Sequence, residues 1–190
     1  MKKLLLALAL SVATLAYAAV EVAGVKFEDK MKIGNADLVL NGAGLRAKLF
    51  LKVYAVGLYL TEKKTSSVEV LALKGAKRLQ IVTLRDLTAE QFADALVAGI
   101  HKNLSEAEAE PLKARVEQFR AAILALKEAP KGTVVQIDWL PDAGTRLTYS
   151  GQKQGEDIAG EDFYRALLRI WLGDKPAQDD LKDSLLGRPA

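Results

Sequence analysis

The amino-acid sequence predicts an α+β fold, an antiparallel sheet with helices packed on one face, from three observations. Strand-like runs fill residues 25–84, helical periodicity fills 88–126, and strands return before two closing helices. No internal repeat, low-complexity tract or linker divides the chain, so a single domain is expected.

The N-terminus comes before that pattern. Met1-Lys2-Lys3 leads into an apolar run over residues 4–16 and then Ala16-Tyr17-Ala18. A positive start, a short apolar stretch and small residues three and one before a cut after Ala18 mark residues 1–18 as a cleavable export signal. A bilayer span needs about 20 apolar residues. This run is shorter and no later run reaches that length, so no membrane span is expected in the mature domain, residues 19–190. The predicted location is outside the cytoplasm.

The elements follow in order. Residues 25–27 make a short candidate strand, and 36–40 alternate in polarity. The run 49–60, rich in Val, Tyr, Phe and Leu, is apolar on both faces apart from Lys52 and predicts a central strand covered on both sides. Residues 78–84 alternate again, with Leu79, Ile81 and Thr83 on one face. Thr88-Ala89-Glu90-Gln91 is a capping box opening a helix that carries Phe92, Leu96 and Ile100 on one side. Ser105-Glu106-Ala107-Glu108 is a second capping box; Pro111 predicts a restart, with Leu112, Val116, Phe119, Ile123 and Leu126 as its apolar stripe. Strands at 133–140 and 146–150 pair across Pro141-Asp142-Ala143-Gly144, and 156–158 adds a short strand. Residues 161–172, apolar nearly all round, predict a buried helix ended by Gly173 and Pro176, with a last short helix over 179–186.

Counting excludes several chemistries. The chain has no Cys and one His, which removes thiol catalysis, iron–sulfur clusters, cysteine zinc sites and histidine-rich metal sites. The 27 Lys+Arg against 24 Asp+Glu become 25 against 24 once Lys2 and Lys3 leave with the signal. A domain of net charge +1 with interspersed signs gives no footprint for nucleic acid. There is no Gly-x-Ser-x-Gly elbow, phosphate loop or zinc-protease helix, and neither a cofactor nor a metal is expected. Asn41-Gly42-Ala43-Gly44 precedes no helix and reads as a turn or bulge. His101, near a helix end, reads as a solvent-facing residue favoured by the helix dipole, with haem ligation as the alternative.

Arg46, Lys48, Lys52, Tyr54 and Tyr59 lie in and beside a strand that otherwise reads as buried. A buried cation needs a partner. Either Arg46 meets a structural carboxylate while the lysines reach out at an edge, or Arg46 stands at a pocket mouth and offers its fork to an anion.

Two stretches carry a family resemblance. Asn41-Gly42-Ala43-Gly44-Leu45-Arg46, continuing as Leu51-Lys52-Val53-Tyr54-Ala55-Val56-Gly57-Leu58-Tyr59-Leu60, resembles the chalcone isomerase-like domain. So does Phe163-Tyr164-Arg165-Ala166-Leu167-Leu168-Arg169-Ile170-Trp171-Leu172-Gly173 with Lys175-Pro176. The similarity runs over nearly the whole mature chain and is nearest to exported bacterial members, which makes the periplasm the expected compartment. The resemblance implies a chalcone isomerase-like open sandwich with a ligand cleft between sheet and helices. It also implies a comparison with the plant enzymes, which cyclise a chalcone with an arginine, a threonine and a tyrosine–asparagine pair. Arg46 matches the arginine, Tyr54 falls on the threonine, Phe92 on the tyrosine and Gly99 on the asparagine. Phenylalanine has no hydroxyl and glycine no side chain, and one lost donor at developing charge costs about 10²–10³ in rate. Chalcone isomerase activity is therefore not expected.

Arginine plus tyrosine resembles instead the fatty-acid-binding members, in which the pair grips a carboxylate and an apolar cleft takes the tail. The leading expectation is a non-enzymatic exported domain that binds a small apolar or amphipathic ligand, such as a fatty acid, through Arg46, Tyr54 and Phe92. Two rivals stay open: an isomerase or lyase of unknown substrate, and a cell-envelope interaction module with no small ligand. Eight residues along one straight strand span about 26 Å, so Arg46 and Tyr54 can share a carboxylate only if the chain reverses between them.

Overall fold

The computed structural model describes residues 19–188, so the predicted export signal lies outside the described residues. Strands β1 (Val20–Val22) and β2 (Val25–Phe27) form a small hairpin. Then come β3 (Lys30–Ile33), β4 (Ala36–Lys48) and β5 (Leu51–Leu60), the short helix α1 (Ser67–Ala72), β6 (Lys77–Thr83) and the two-residue β7 (Leu87–Thr88). Helices α2 (Ala89–Asn103), α3 (Glu106–Ala109) and α4 (Lys113–Leu124) form the middle. After β8 (Glu128–Ala129) come β9 (Val134–Leu140), β10 (Gly144–Tyr149), β11 (Gln152–Ile158), α5 (Glu161–Leu172) and α6 (Asp179–Leu185). The main sheet has seven antiparallel strands in the order β11-β10-β9-β6-β5-β4-β3.

Period-two alternation sorts the sheet's faces. Val56, Leu58, Leu79, Ile81, Val135, Ile137 and Leu147 point to the helices and join Phe92, Leu96, Phe119, Phe163, Leu167 and Trp171 in one core. Behind β3–β5, the β1–β2 hairpin covers the other face with Phe27 packed among Leu38, Leu40, Ala55 and Tyr59. The strand predicted over 49–60 is shorter: Leu49 and Phe50 form the turn, Leu51 and Lys52 are exposed at its tip, and only residues 55–60 are buried on both sides, because neither the β1–β2 hairpin nor the helices reach the first residues. Elsewhere the second face is polar. Arg78 grips Asp138 through two bonds of 2.7 and 2.6 Å, and Arg146 grips Asp157 through bonds of 3.0 and 2.6 Å.

Both capping boxes form, at Thr88–Gln91 and Ser105–Glu108. At Pro111 the chain makes one 3-10 turn, Glu110–Leu112, before α4 begins, because a proline supplies no backbone N–H to continue the earlier helix. The layer is tied by Arg115 on Asp162 (2.7 Å for each bond) and Arg169 on Glu108 (2.9 Å).

The glycine-rich stretch departs from the simplest reading. Asn41-Gly42-Ala43-Gly44 contains the expected bulge, but the strand runs straight through it as part of β4. The cause lies far away in the chain, where α6 lies directly on Gly42 and Gly44. A Cβ at Gly42 would collide with Ser184 O and stand 2.8 Å from Leu185 O; one at Gly44 would stand 2.7 Å from Leu181 Cδ1. These glycines exist for close helix approach rather than for turning.

Candidate functional site

The cleft begins where the glycines stop. Residues 42, 44 and 46 share the helix-facing side of β4, and α6 covers only the first two. Beyond it, the open ends of β4 and β5, one side of α2 and the 175–177 segment enclose a cavity of about 750 Å³. This lies within the usual range for small-molecule sites.

Arg46 and Tyr54 face each other across it. The chain reverses at Leu49–Phe50, and Arg46 is the direct cross-strand partner of Tyr54. Such pairs have Cα atoms about 4.5–5.5 Å apart and side chains on one face. The separation of eight residues thus produces a rung of a ladder, not a distance of 26 Å.

Each member of the rung is held from behind. Arg46 donates to Gln178 Oε1 at 3.1 Å and to the carbonyl of Ala47, while the same Gln178 oxygen accepts from Ala47 N at 2.9 Å. Among the described residues no carboxylate pairs with Arg46, so the reading of Arg46 as half of a structural ion pair is set aside. Tyr54 accepts from the Trp171 indole N–H at 2.9 Å. The phenol's own O–H has no acceptor among the described residues and remains available. Burial pushes the phenol up to about 12, against the opposing pull of the Trp171 bond and the Arg46 guanidinium. Tyr54 is therefore a neutral donor at any physiological pH, not a base.

The remaining walls are apolar or cationic. Phe92, Leu96, Ile170 and Ala177 supply the apolar lining, and Lys48, Arg85, Lys102 and Lys175 join Arg46 as cations; no acidic residue lines the cavity. Low-dielectric walls of one sign focus potential on an anion. Phe92 does lie in the cleft, with 6% of its surface exposed. It offers a ring surface and no hydrogen bond. Gly99 is where α2 crosses α5, and a Cβ there would stand 2.8 Å from Ile170 Cγ2. This position has no room for an asparagine.

Other singled-out residues fall elsewhere. Lys52 is exposed at the hairpin tip outside the lining. Tyr59 is fully buried on the opposite sheet face, its hydroxyl unbonded. His101 is exposed in the last turn of α2 and borders a separate shallow depression. Among the described residues no cluster of three His, Cys, Asp or Glu is placed to hold a metal ion, and no helix is long and apolar enough to cross a membrane. Sequence reasoning missed Arg85, Lys102 and Trp171 as parts of the site, since each arrives from a separate element. The terminal motif, with Ile170, Trp171 and Lys175-Pro176, was the visible signal for that wall, without the role of any of its residues.

An antiparallel sheet carrying helices on one face, with a cation-rimmed apolar cleft at its open end, defines an open α+β sandwich. The chain belongs to the chalcone isomerase-like family, whose sequence model matches residues 19–187. Among solved structures it is similar to a fatty-acid binding protein of Arabidopsis thaliana, with a TM-score of 0.71 and 16% identity over 89% of this chain and 96% of that one. At that identity the likeness is one of fold. No curated protein sequence matches the chain.

Proposed function

We propose that this is an exported, periplasmic protein that holds a small amphipathic anion, of which a fatty acid is the best fit, and performs no chemistry on it. The observation that carries this reading is the Arg46–Tyr54 rung, a guanidinium without a carboxylate beside a phenol O–H without an acceptor. Both open into an apolar cavity whose other charges are all positive. The carboxylate takes charge-assisted bonds from Arg46 and one from Tyr54, and the tail lies along Phe92, Leu96 and Ile170. The fold shared with a fatty-acid binding protein supports the same reading. Against an isomerase or lyase stand Phe92, without a hydroxyl, and Tyr54, held neutral.

The test is native mass spectrometry of the purified protein, followed by titration with fatty acids of increasing length. A co-purifying lipid is expected, with affinity rising about fourfold per added methylene (~0.8 kcal/mol each) until the cavity is full. Arg46→Gln is expected to weaken binding by about ten- to a hundredfold, the value of a hydrogen bond to a charged group. Tyr54→Phe is expected to weaken it less, by about three- to tenfold. Absence of both bound lipid and a chain-length series would refute the proposal, as would enone turnover lost on Arg46→Gln.

A further inference from the structure

The hairpin that carries the rung ends in the sequence Lys48-Leu49-Phe50-Leu51-Lys52. Its three apolar residues are 88%, 102% and 53% exposed. They are contiguous, whereas the other large exposed apolar residues, Val20 and Val68, stand singly on different elements. The tip also overhangs the sheet. Strand β6 pairs with β5 only from Tyr54 onward, so the rungs Ala47–Lys52 and Lys48–Leu51 project beyond it.

Turn chemistry does not explain these residues. Leu49 adopts a left-handed backbone with φ of 55°, a conformation for which glycine or asparagine is the ordinary choice. Phe50 packs on nothing. Phe50 is directed wholly at solvent, and Leu49 and Leu51, though exposed, also border the cavity mouth, so the tip points to a receiving surface that is continuous with the cleft.

We infer that this tip docks on an anionic lipid bilayer, with Leu49, Phe50 and Leu51 entering the headgroup–acyl boundary and Lys48 and Lys52 staying at the phosphates. Charge complementarity selects the occupant. The domain as a whole is nearly neutral, yet Arg46, Lys48, Arg85, Lys102 and Lys175 gather at the cavity beside the tip with no acidic residue among its lining. Lysines flanking an apolar wedge are suited to such an interface, because their stems bury while their charges reach the headgroups. A second copy of the chain is a poor recipient: a tip-to-tip contact opposes lysines, and the cleft of another copy presents cations to the same lysines. The inference stands whether or not a fatty acid fills the cleft. If one does, the cleft mouth faces the lipid from which it is drawn.

The experiment compares wild type and tip variants, each as the exported protein cut after Ala18, in flotation on vesicles of equimolar phosphatidylglycerol and phosphatidylcholine, against phosphatidylcholine alone. The cut form is used because the apolar run 4–16 would by itself hold every variant on the vesicles. Phe50→Ser is expected to weaken partitioning about tenfold or more, and removal of Lys48 or Lys52 about fivefold each, with loss of the preference for anionic vesicles. Since Phe50 makes no internal contact, its variant is expected to melt as the wild type does. In Phe50→Trp, the new indole is expected to shift to the blue and be quenched by brominated lipid. Equal partitioning of wild type and Phe50→Ser, no partitioning by either, or an unquenched Trp at position 50 would overturn the inference. So would a tip-dependent self-association seen without vesicles.

Discussion

Gly42→Ala tests the linkage between the C-terminal helix and the ligand cleft. The added Cβ would meet the carbonyls of Ser184 and Leu185, which are backbone atoms and cannot rotate aside. Position 42 is held in register opposite Leu58, so α6 must move. Overpacking of this kind costs about 1–3 kcal/mol. Full undocking exposes Leu181, Leu185 and Leu186, each now at most 1% exposed, and at about 1.5–3 kcal/mol per leucine sets an upper bound of roughly 5–9 kcal/mol. A loss of about 3 kcal/mol is expected, which lowers the melting midpoint by roughly 6–12 °C for a domain of this size. Urea and thermal unfolding followed by circular dichroism measure it. Gly34→Ala is the comparison: its left-handed φ of 56° brings a backbone penalty of about 1–2 kcal/mol in open space, which Gly42, with no positive φ, does not carry. If Gly42→Ala shifts the midpoint no further than Gly34→Ala, the helix does not rest on that strand as described. Because Gln178 immediately precedes α6 and its side-chain oxygen holds both Arg46 and Ala47, the same variant is expected to weaken ligand binding from a distance.

Two further outcomes follow from the helical layer. Gly99→Asn, which brings in the amide of the plant enzymes, is expected to cost about 1–3 kcal/mol in thermal unfolding through its clash with Ile170 and to gain no chalcone turnover. Glu108 is held down to about 2, first by the Ser105 backbone N–H and then by Arg169 and the Ser105 hydroxyl. Its ordinary value is 4.5, so its stabilisation is complete above that pH and is lost as the pH falls through 4.5 towards 2. The difference in melting midpoint between wild type and Glu108→Gln is therefore expected to shrink across that window; a constant difference would contradict the capping role.

Much of this fold is readable residue by residue where local chemistry decides the outcome. Thr88–Gln91 and Ser105–Glu108 start helices because their side chains satisfy orphan amides within one turn. Pro111 restarts the chain because it lacks an N–H. Leu79, Ile81, Val135 and Ile137 alternate because one sheet face is dry. What was not readable depends on distant partners. Strand β3 is a four-residue edge with two lysines, and α1, only six residues long, is bounded by Ser66 and little else. The passage of β4 through Gly42 and Gly44 is decided by a helix more than a hundred residues later. The site shows the same division. Arg46, Tyr54 and Phe92 were visible as residue types and all three line one cavity; the roles assigned to them rest on the tests above. Arg85, Lys102 and Trp171 converge on it only after the sheet and helices meet.

The Asn41 side chain, buried beneath α6, accepts from Lys64 N and donates to Lys64 O and Leu185 O. One amide thereby clasps the start of the chain to its end, and Arg46 reaches Gln178 across a similar separation. Contacts this remote reward the chain only after a long loop has closed. The hairpins and capped helices can form early, but this corner of the cleft is completed at the close of folding. Under the proposed export from the N-terminus, the Arg46–Gln178 contact is assembled only once residues 178–185 have emerged. A bulky fusion at the C-terminus would therefore be felt first at Arg46.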